Sequence, residues 1–238
     1  ASLSKVFVGS LMARAVAENK VALDEDIRKY LEPDAYPNLT YEGTPVTVSN
    51  LLTHTLGFET PVRLSALYDK MGAGYYEDKA VDFSLDDFFT ELKKVTLSKK
   101  PGTYYDYNNV GPEITAYILE QVYEKPYEKL LTSFFDELGM HNSYLQDYDR
   151  YRERLASGYD EEGELAYSFK RILLGGAGGV VTTLPDLAKF MKFQLESNDP
   201  LIKESTRVLK EAEDDLGYFW DMGFSEKEGF FYYKTGTS

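Results

Sequence analysis

The apolar positions Val6, Phe7, Leu11, Val16 and Ala17 share one face at helical spacing. They predict a helix from the opening residues to Glu18, stopped at Asn19-Lys20. Leu23 to Ile27 begins a shorter helix that Pro33 must end. Thr47 or Ser49 can cap a third, running through Leu51, Leu52 and His54 and closed by Gly57. Ser84-Leu85-Asp86-Asp87 has the form of a capping box with Asp in place of Glu, and Leu85, Phe88, Phe89 and Leu92 face inward behind it. Ile114, Tyr117, Ile118 and Val122 line the next helix, and Pro126 starts another that reaches about Leu138. Thr183 caps a helix whose inward positions are Leu187, Phe190, Met191 and Leu195, and Asp199-Pro200 opens the last one. The period changes near the end, where Leu216 to Trp220 and Phe230 to Lys234 read as strands around a turn at Glu226 to Gly229. Phe58 to Asp82 has weak periodicity and reads as a lid or a partly helical excursion, and Arg150 to Glu164 as exposed, charged surface. Gly175-Gly176-Ala177-Gly178-Gly179 fits neither period and predicts backbone that closely approaches another segment or a ligand.

Composition narrows the function more than the fold. The 238 residues suffice for one large domain with a real core. The net charge of -14 argues against nucleic acid and anionic membrane surfaces as partners. It leaves room for an anionic small substrate, because a local lysine outweighs a distant field screened by salt. Cysteine is absent, which removes disulfides, thiolate chemistry and cysteine-based zinc sites. No apolar run reaches the length that spans a bilayer. His54 and His141 have no carboxylate partner at ligand spacing and are read as structural, so no metal or cofactor is expected.

Three short patterns carry chemistry. Ser2 and Lys5 are three residues apart at the start of the first helix, so an amine can reach a hydroxyl. A neutral lysine could take the serine proton if burial or a second cation lowers its pKa. Tyr107 and Asn109 form a Y-x-N after the Pro101-Gly102 turn. A phenolate between two lysines is favoured, and an amide can donate to a substrate carbonyl while accepting from a lysine. Lys234-Thr235-Gly236 ends an aromatic strand, where a cation and a hydroxyl can hold a carboxylate and the glycine admits substrate to the backbone. Taken singly, each also fits an ordinary capping serine, a turn tyrosine or a charged strand end.

In this order, and at a helix start, a loop and a strand end, S-x-x-K, Y-x-N and K-T-G resemble the serine β-lactamase-like and penicillin-binding superfamily. The Y-x-N form is similar to its branch of class C β-lactamases and D-alanyl-D-alanine carboxypeptidases. Lys20 to Ile27, Leu51 to Phe58, Leu138-Gly139-Met140 and Gly178 to Thr183 with Asp186-Leu187-Ala188 also resemble stretches of that family, so the likeness covers nearly the whole chain.

The resemblance implies an α/β, β-lactamase/transpeptidase-like fold, with an all-α lobe holding most of residues 20–200 packed on an antiparallel sheet. It implies Ser2 as acylated nucleophile and Lys5 and Tyr107 as the proton-transfer pair, the acylation base left open between them. Asn109 would bind the substrate amide and orient Lys5. Lys234 and Thr235 would bind a carboxylate or tune Tyr107, beside Gly236, and the N–H groups of Ser2 and Thr237 would form the oxyanion hole. The reaction would be acyl transfer on a D-Ala-terminated peptide or a β-lactam, in an extracytoplasmic setting. An esterase of the same fold, a penicillin-binding or sensor module that acylates without turnover, and an inactive relic are the rivals. The family carries strands before S-x-x-K and after K-T-G, so most of the sheet is expected to lie outside residues 1–238.

Overall fold

A computed structural model describes residues 2–59, 84–145, 153–159, 162–166, 173–211, 215–227 and 229–236. Most of the stretch from Phe58 to Asp82, expected to be a lid, lies outside the described residues, as does part of the charged 150–164 surface.

Helix α1 (Ser4–Ala17) is the axis of the molecule, and nearly all of it is buried. Val6, Phe7 and Leu11 pack inward as expected and Val16 does so in part, whereas Ala17 is exposed at the helix end; Val8, Met12, Ala13 and Ala15 are buried as well, because α1 is surrounded on more than one side. Helices α4 (Val110–Tyr123), α5 (Tyr127–Glu137) and α7 (Pro200–Ser205) all lie against it. Phe7 meets Phe135 edge-on at 5.1 Å and Phe190 of α6 (Leu184–Glu196) at 4.7 Å. The short α2 (Val48–Leu52) packs on α4. Of its two candidate caps Thr47 holds the N-cap position, in a box with Asn50, and the Ser84-Asp87 box of α3 (Leu85–Leu92) forms as the residue order predicts. The expected second helix is a single 3-10 turn, Ile27–Tyr30, capped by the Asp26 carboxylate.

Among the described residues the strands are few. Two two-residue ladders, β1 (Thr40–Tyr41) with β2 (Thr44–Pro45) and β3 (Gly158–Tyr159) with β4 (Leu165–Ala166), pin loops. The sheet that matters is antiparallel, in the order β5 (Asp215–Gly217), β6 (Trp220–Ser225), β7 (Gly229–Tyr233). The fold is β-lactamase/transpeptidase-like: helices gathered on an antiparallel sheet, here a partial one.

Two readings of the pattern are corrected. Leu216 to Trp220 is not one strand, because Gly217 pairs with Trp220 across a two-residue hairpin loop. Tyr218 and Phe219 form that loop at φ 52° and 66°. Their burial under α1 offsets the strain of positive φ. The Tyr218 carbonyl would sit 2.1 Å from a Cβ on Gly9, so only glycine lets the hairpin seat on α1. Met191 and Leu195 do not face inward on α6 but stand 46% and 78% exposed. The buried face of that helix runs through Asp186 and Phe190 instead. The buried Asp186 carboxylate accepts from the Asn142 N–H and the Ser143 hydroxyl, a polar anchor that hydrophobic periodicity cannot register.

Candidate active site

Ser2 lies in the turn just before α1, and Lys5 is in the first turn of the helix. No side chain caps this end. Instead the Lys5 N–H donates to the Ser2 carbonyl at 3.1 Å, and the Lys5 side chain folds back toward the same residue. Lys5 Nζ donates to Ser2 Oγ at 3.0 Å, and the Tyr107 hydroxyl donates to Ser2 Oγ at 2.7 Å. The serine oxygen is thus held between an amine and a phenol that are distant in sequence.

Lys5 is fully buried. Burial, and after it the Lys234 cation, bring its pKa down from 10.5 to about 7, while the Glu113 carboxylate works in the opposite direction. A lysine at that value is substantially neutral near pH 7 and can accept a proton. Tyr107 goes the other way. Burial raises its pKa, as does the Asp221 carboxylate, against the lowering effect of its bond to Ser2. The two flanking lysines stand where the sequence implies, with Lys5 Nζ 5.0 Å and Lys234 Nζ 5.2 Å from the Tyr107 ring centroid. The phenolate expected between them is nonetheless not favoured, because burial opposes it and so does Asp221, an acidic neighbour the motif does not contain.

That neighbour also changes the reading of Lys234. Its side chain is only 3% exposed, and Nζ bonds Asp221 Oδ2 at 3.0 Å. The amine is committed to β6 and to the space beside Tyr107, whereas Thr235 and Gly236 are exposed. Asn109 occupies the N-cap position of α4 without capping it by side chain. The Asn108 amide oxygen instead accepts from the Gly111 N–H at 2.9 Å. Thr237, expected to supply an oxyanion N–H, lies outside the described residues.

Four contributors carry no motif signal. The Ala177 carbonyl accepts from Lys5 Nζ at 2.8 Å, so the glycine-rich run builds part of the site. Glu113 receives N–H bonds from that run. Asp221 holds Lys234. The His54 ring lies 4.6 Å from that of Tyr107 and 5.3 Å from that of Phe219. Burial, then Lys234 and Lys5, keep His54 well below its usual pKa, so it stays neutral packing. The composition of the glycine run does predict its close approach to another segment, though not that the segment includes Lys5. Asp221 and Glu113 are indistinguishable in sequence from surface acids.

The serine, lysine and tyrosine meet where α1, the loop before α4 and the end of β7 come together, which is the β-lactamase/transpeptidase-like arrangement. The chain belongs to the beta-lactamase family, whose model, described as Beta-lactamase, matches residues 1–237. D-alanyl-D-alanine-carboxypeptidase/endopeptidase AmpH of Escherichia coli K12 is 27% identical over 201 residues, covering 83% of this chain and 49% of its own. Esterase EstB of Burkholderia gladioli is 31% identical over 129 residues, 53% of this chain and 32% of its own. The octameric penicillin-binding protein homologue from Pyrococcus abyssi superposes with a TM-score of 0.74 at 22% identity, over 94% of this chain and 52% of its own. The chain therefore spans about half the length of the curated relatives it matches. Among the described residues, no helix is long and apolar enough to cross a membrane.

Proposed function

We propose that this chain carries the active site of a serine acyl-transfer hydrolase. Ser2 attacks an amide, lactam or ester carbonyl, and water or an amine then releases the acyl group. The observation that carries the reading is the placement of Ser2 Oγ 3.0 Å from the Lys5 amine and 2.7 Å from the Tyr107 hydroxyl. With Lys5 at about 7 and Tyr107 pushed up, Lys5 takes the serine proton on acylation. Tyr107, protonated, hands a proton to the leaving group and recovers one from Lys5. Asn109 holds the substrate amide, and the N–H groups of Ser2 and Thr237 hold the oxyanion.

The substrate class is a D-Ala-terminated peptide or a β-lactam, as AmpH's name and the K-T-G motif together favour, and the extracytoplasmic setting rests on the family resemblance alone. The substrate carboxylate meets the exposed Thr235, and Lys234 acts through Lys5 and Tyr107. One observation favours a second reading, an esterase. Lys234 is already paired with Asp221, and EstB is among the relatives.

Intact-mass spectrometry after incubation with a fluorescent penicillin tests the proposal, on wild type and Ser2→Ala. A Ser2-dependent adduct is expected, and its decay separates turnover from stable acylation. No adduct with penicillin, but Ser2-dependent hydrolysis of nitrophenyl esters, would leave the esterase. Absence of both the adduct and the ester hydrolysis would overturn the proposal.

A further inference from the structure

Glu113 occupies the fourth residue of α4 and is 4% exposed, with no cation at hydrogen-bond distance among the described residues. A carboxylate is costly to bury unless its lone pairs are satisfied. Here they are satisfied by the glycine-rich run. Oε2 accepts from the Leu174 and Gly175 N–H groups, each at 3.1 Å, and Oε1 from the Ala177 N–H at 3.0 Å. The Gly176 N–H adds to the same carboxylate. All these contacts are donors aimed at oxygen, so the arrangement serves the ionised form, although burial pushes its pKa upward.

The run is also pressed onto the first turn of α4, because a Cβ on Gly176 would fall 2.2 Å from the Pro112 carbonyl oxygen. Farther along, the Val180 N–H donates to Ser4 Oγ at 3.0 Å, which pins the run to α1. Ala177 sits between these two anchors. Its N–H goes to Glu113 and its carbonyl takes Lys5 Nζ.

We infer that Glu113 is a positioning residue for Lys5: its carboxylate clamps the 174–177 backbone onto α4 and so holds the Ala177 carbonyl against the lysine amine. The inference rests on the reading of Lys5 as the group that serves Ser2. The groups facing Lys5 are Ser2 before α1, His54 after α2, Tyr107 before α4, Glu113 on α4 and Lys234 after β7, with Asp221 of β6 behind Lys234. Among the charges acting on Lys5, Glu113 favours the ammonium and Lys234 opposes it. Removing Glu113 has two effects of one sign. The anion is lost, and the carbonyl that accepts from the ammonium is released. Both favour neutral Lys5.

The test is Glu113→Gln in the full chain labelled with lysine carrying carbon-13 at the ε position. The Lys5 resonance is assigned with Lys5→Arg and followed against pH, so the readout needs no turnover. The Lys5 midpoint is expected to fall by about half to one unit. The acid limb of Ser2 acylation by a fluorescent penicillin should move the same way, with a lower plateau. Glu113→Asp keeps the charge but is too short to reach every N–H, so it should lower the plateau with a smaller change in midpoint. It also carries the test if glutamine does not fold. A wild-type midpoint and wild-type plateau in every variant that folds overturns the inference. So does a lower melting temperature with an unmoved midpoint, which would make Glu113 structural only. If the midpoint moves but wild type never acylates, the inference about Lys5 stands and the proposed function fails instead.

Discussion

Replacing Lys234 by methionine keeps the length of the side chain and removes its charge. Lys234 is the largest cause after burial of the low Lys5 pKa, so the variant isolates one electrostatic effect. With Lys5 at about 7, roughly half of the molecules carry a neutral amine at pH 7. Loss of a neighbouring cation worth about one unit, roughly 1.4 kcal/mol, would bring Lys5 to about 8 and leave about one tenth neutral. Acylation at pH 7 should fall about fivefold and return near wild type at about pH 9.5. The assay is the second-order rate of Ser2 acylation across pH, with a chromogenic penicillin and with a nitrophenyl ester that lacks a carboxylate. Because Lys234 is 3% exposed and bonded to Asp221, both substrates should lose equally at pH 7 and recover equally. A penicillin-specific loss that persists at high pH would refute the reasoning and make Lys234 a direct carboxylate anchor. An acid limb that stays in place would refute the electrostatic link itself. A thermal melt beside each profile accounts for the unpaired Asp221, which at 18% side-chain exposure keeps part of its hydration.

Two further outcomes concern stability. Lys5 is lowered in the folded state, so the unfolded chain binds more protons between the two pKa values and stability rises with pH there. With folded and unfolded values of about 7 and 10.5, the gain from about pH 6 to 8.5 is about 2 kcal/mol. Urea melts of wild type should show that rise and Lys5→Met should lack it; parallel curves would contradict the burial of a titrating lysine. Gly9→Ala would drive a Cβ to 2.1 Å from the Tyr218 carbonyl, which is backbone and cannot swing aside. A loss of about 1–3 kcal/mol is expected, read as a drop of several degrees in melting temperature. An unchanged melt would mean that α1 and the Tyr218-Phe219 loop are not in contact.

The helices were legible because each has its own punctuation. Thr47, Ser84, Thr183 and Asp199 stand where their helices begin. Ser2, Lys5, Tyr107, Asn109 and Lys234 were legible as motifs because the proposed chemistry would need particular groups at short spacing, and Ser2, Lys5 and Tyr107 are the three that meet by hydrogen bonds. The hairpin loop at Tyr218-Phe219 was not legible. Aromatic residues favour strands locally, and only burial beneath α1, opposite a glycine, compensates their positive φ. Nor could the outward turn of Met191 and Leu195 be read, since Asp186 takes the inward face of α6 by hydrogen bonding.

The sequence by itself determined which groups are available and which local elements carry them, since propensity, capping and spacing are local. Only the tertiary structure decided their protonation. Lys5 is brought to about 7 by burial and by a lysine 229 residues away. Tyr107 is raised by burial and by Asp221 on a neighbouring strand. The loop that holds Lys5 is itself held by Glu113. Electrostatic energies depend on distance and on exclusion of water, and neither quantity exists until the chain has packed.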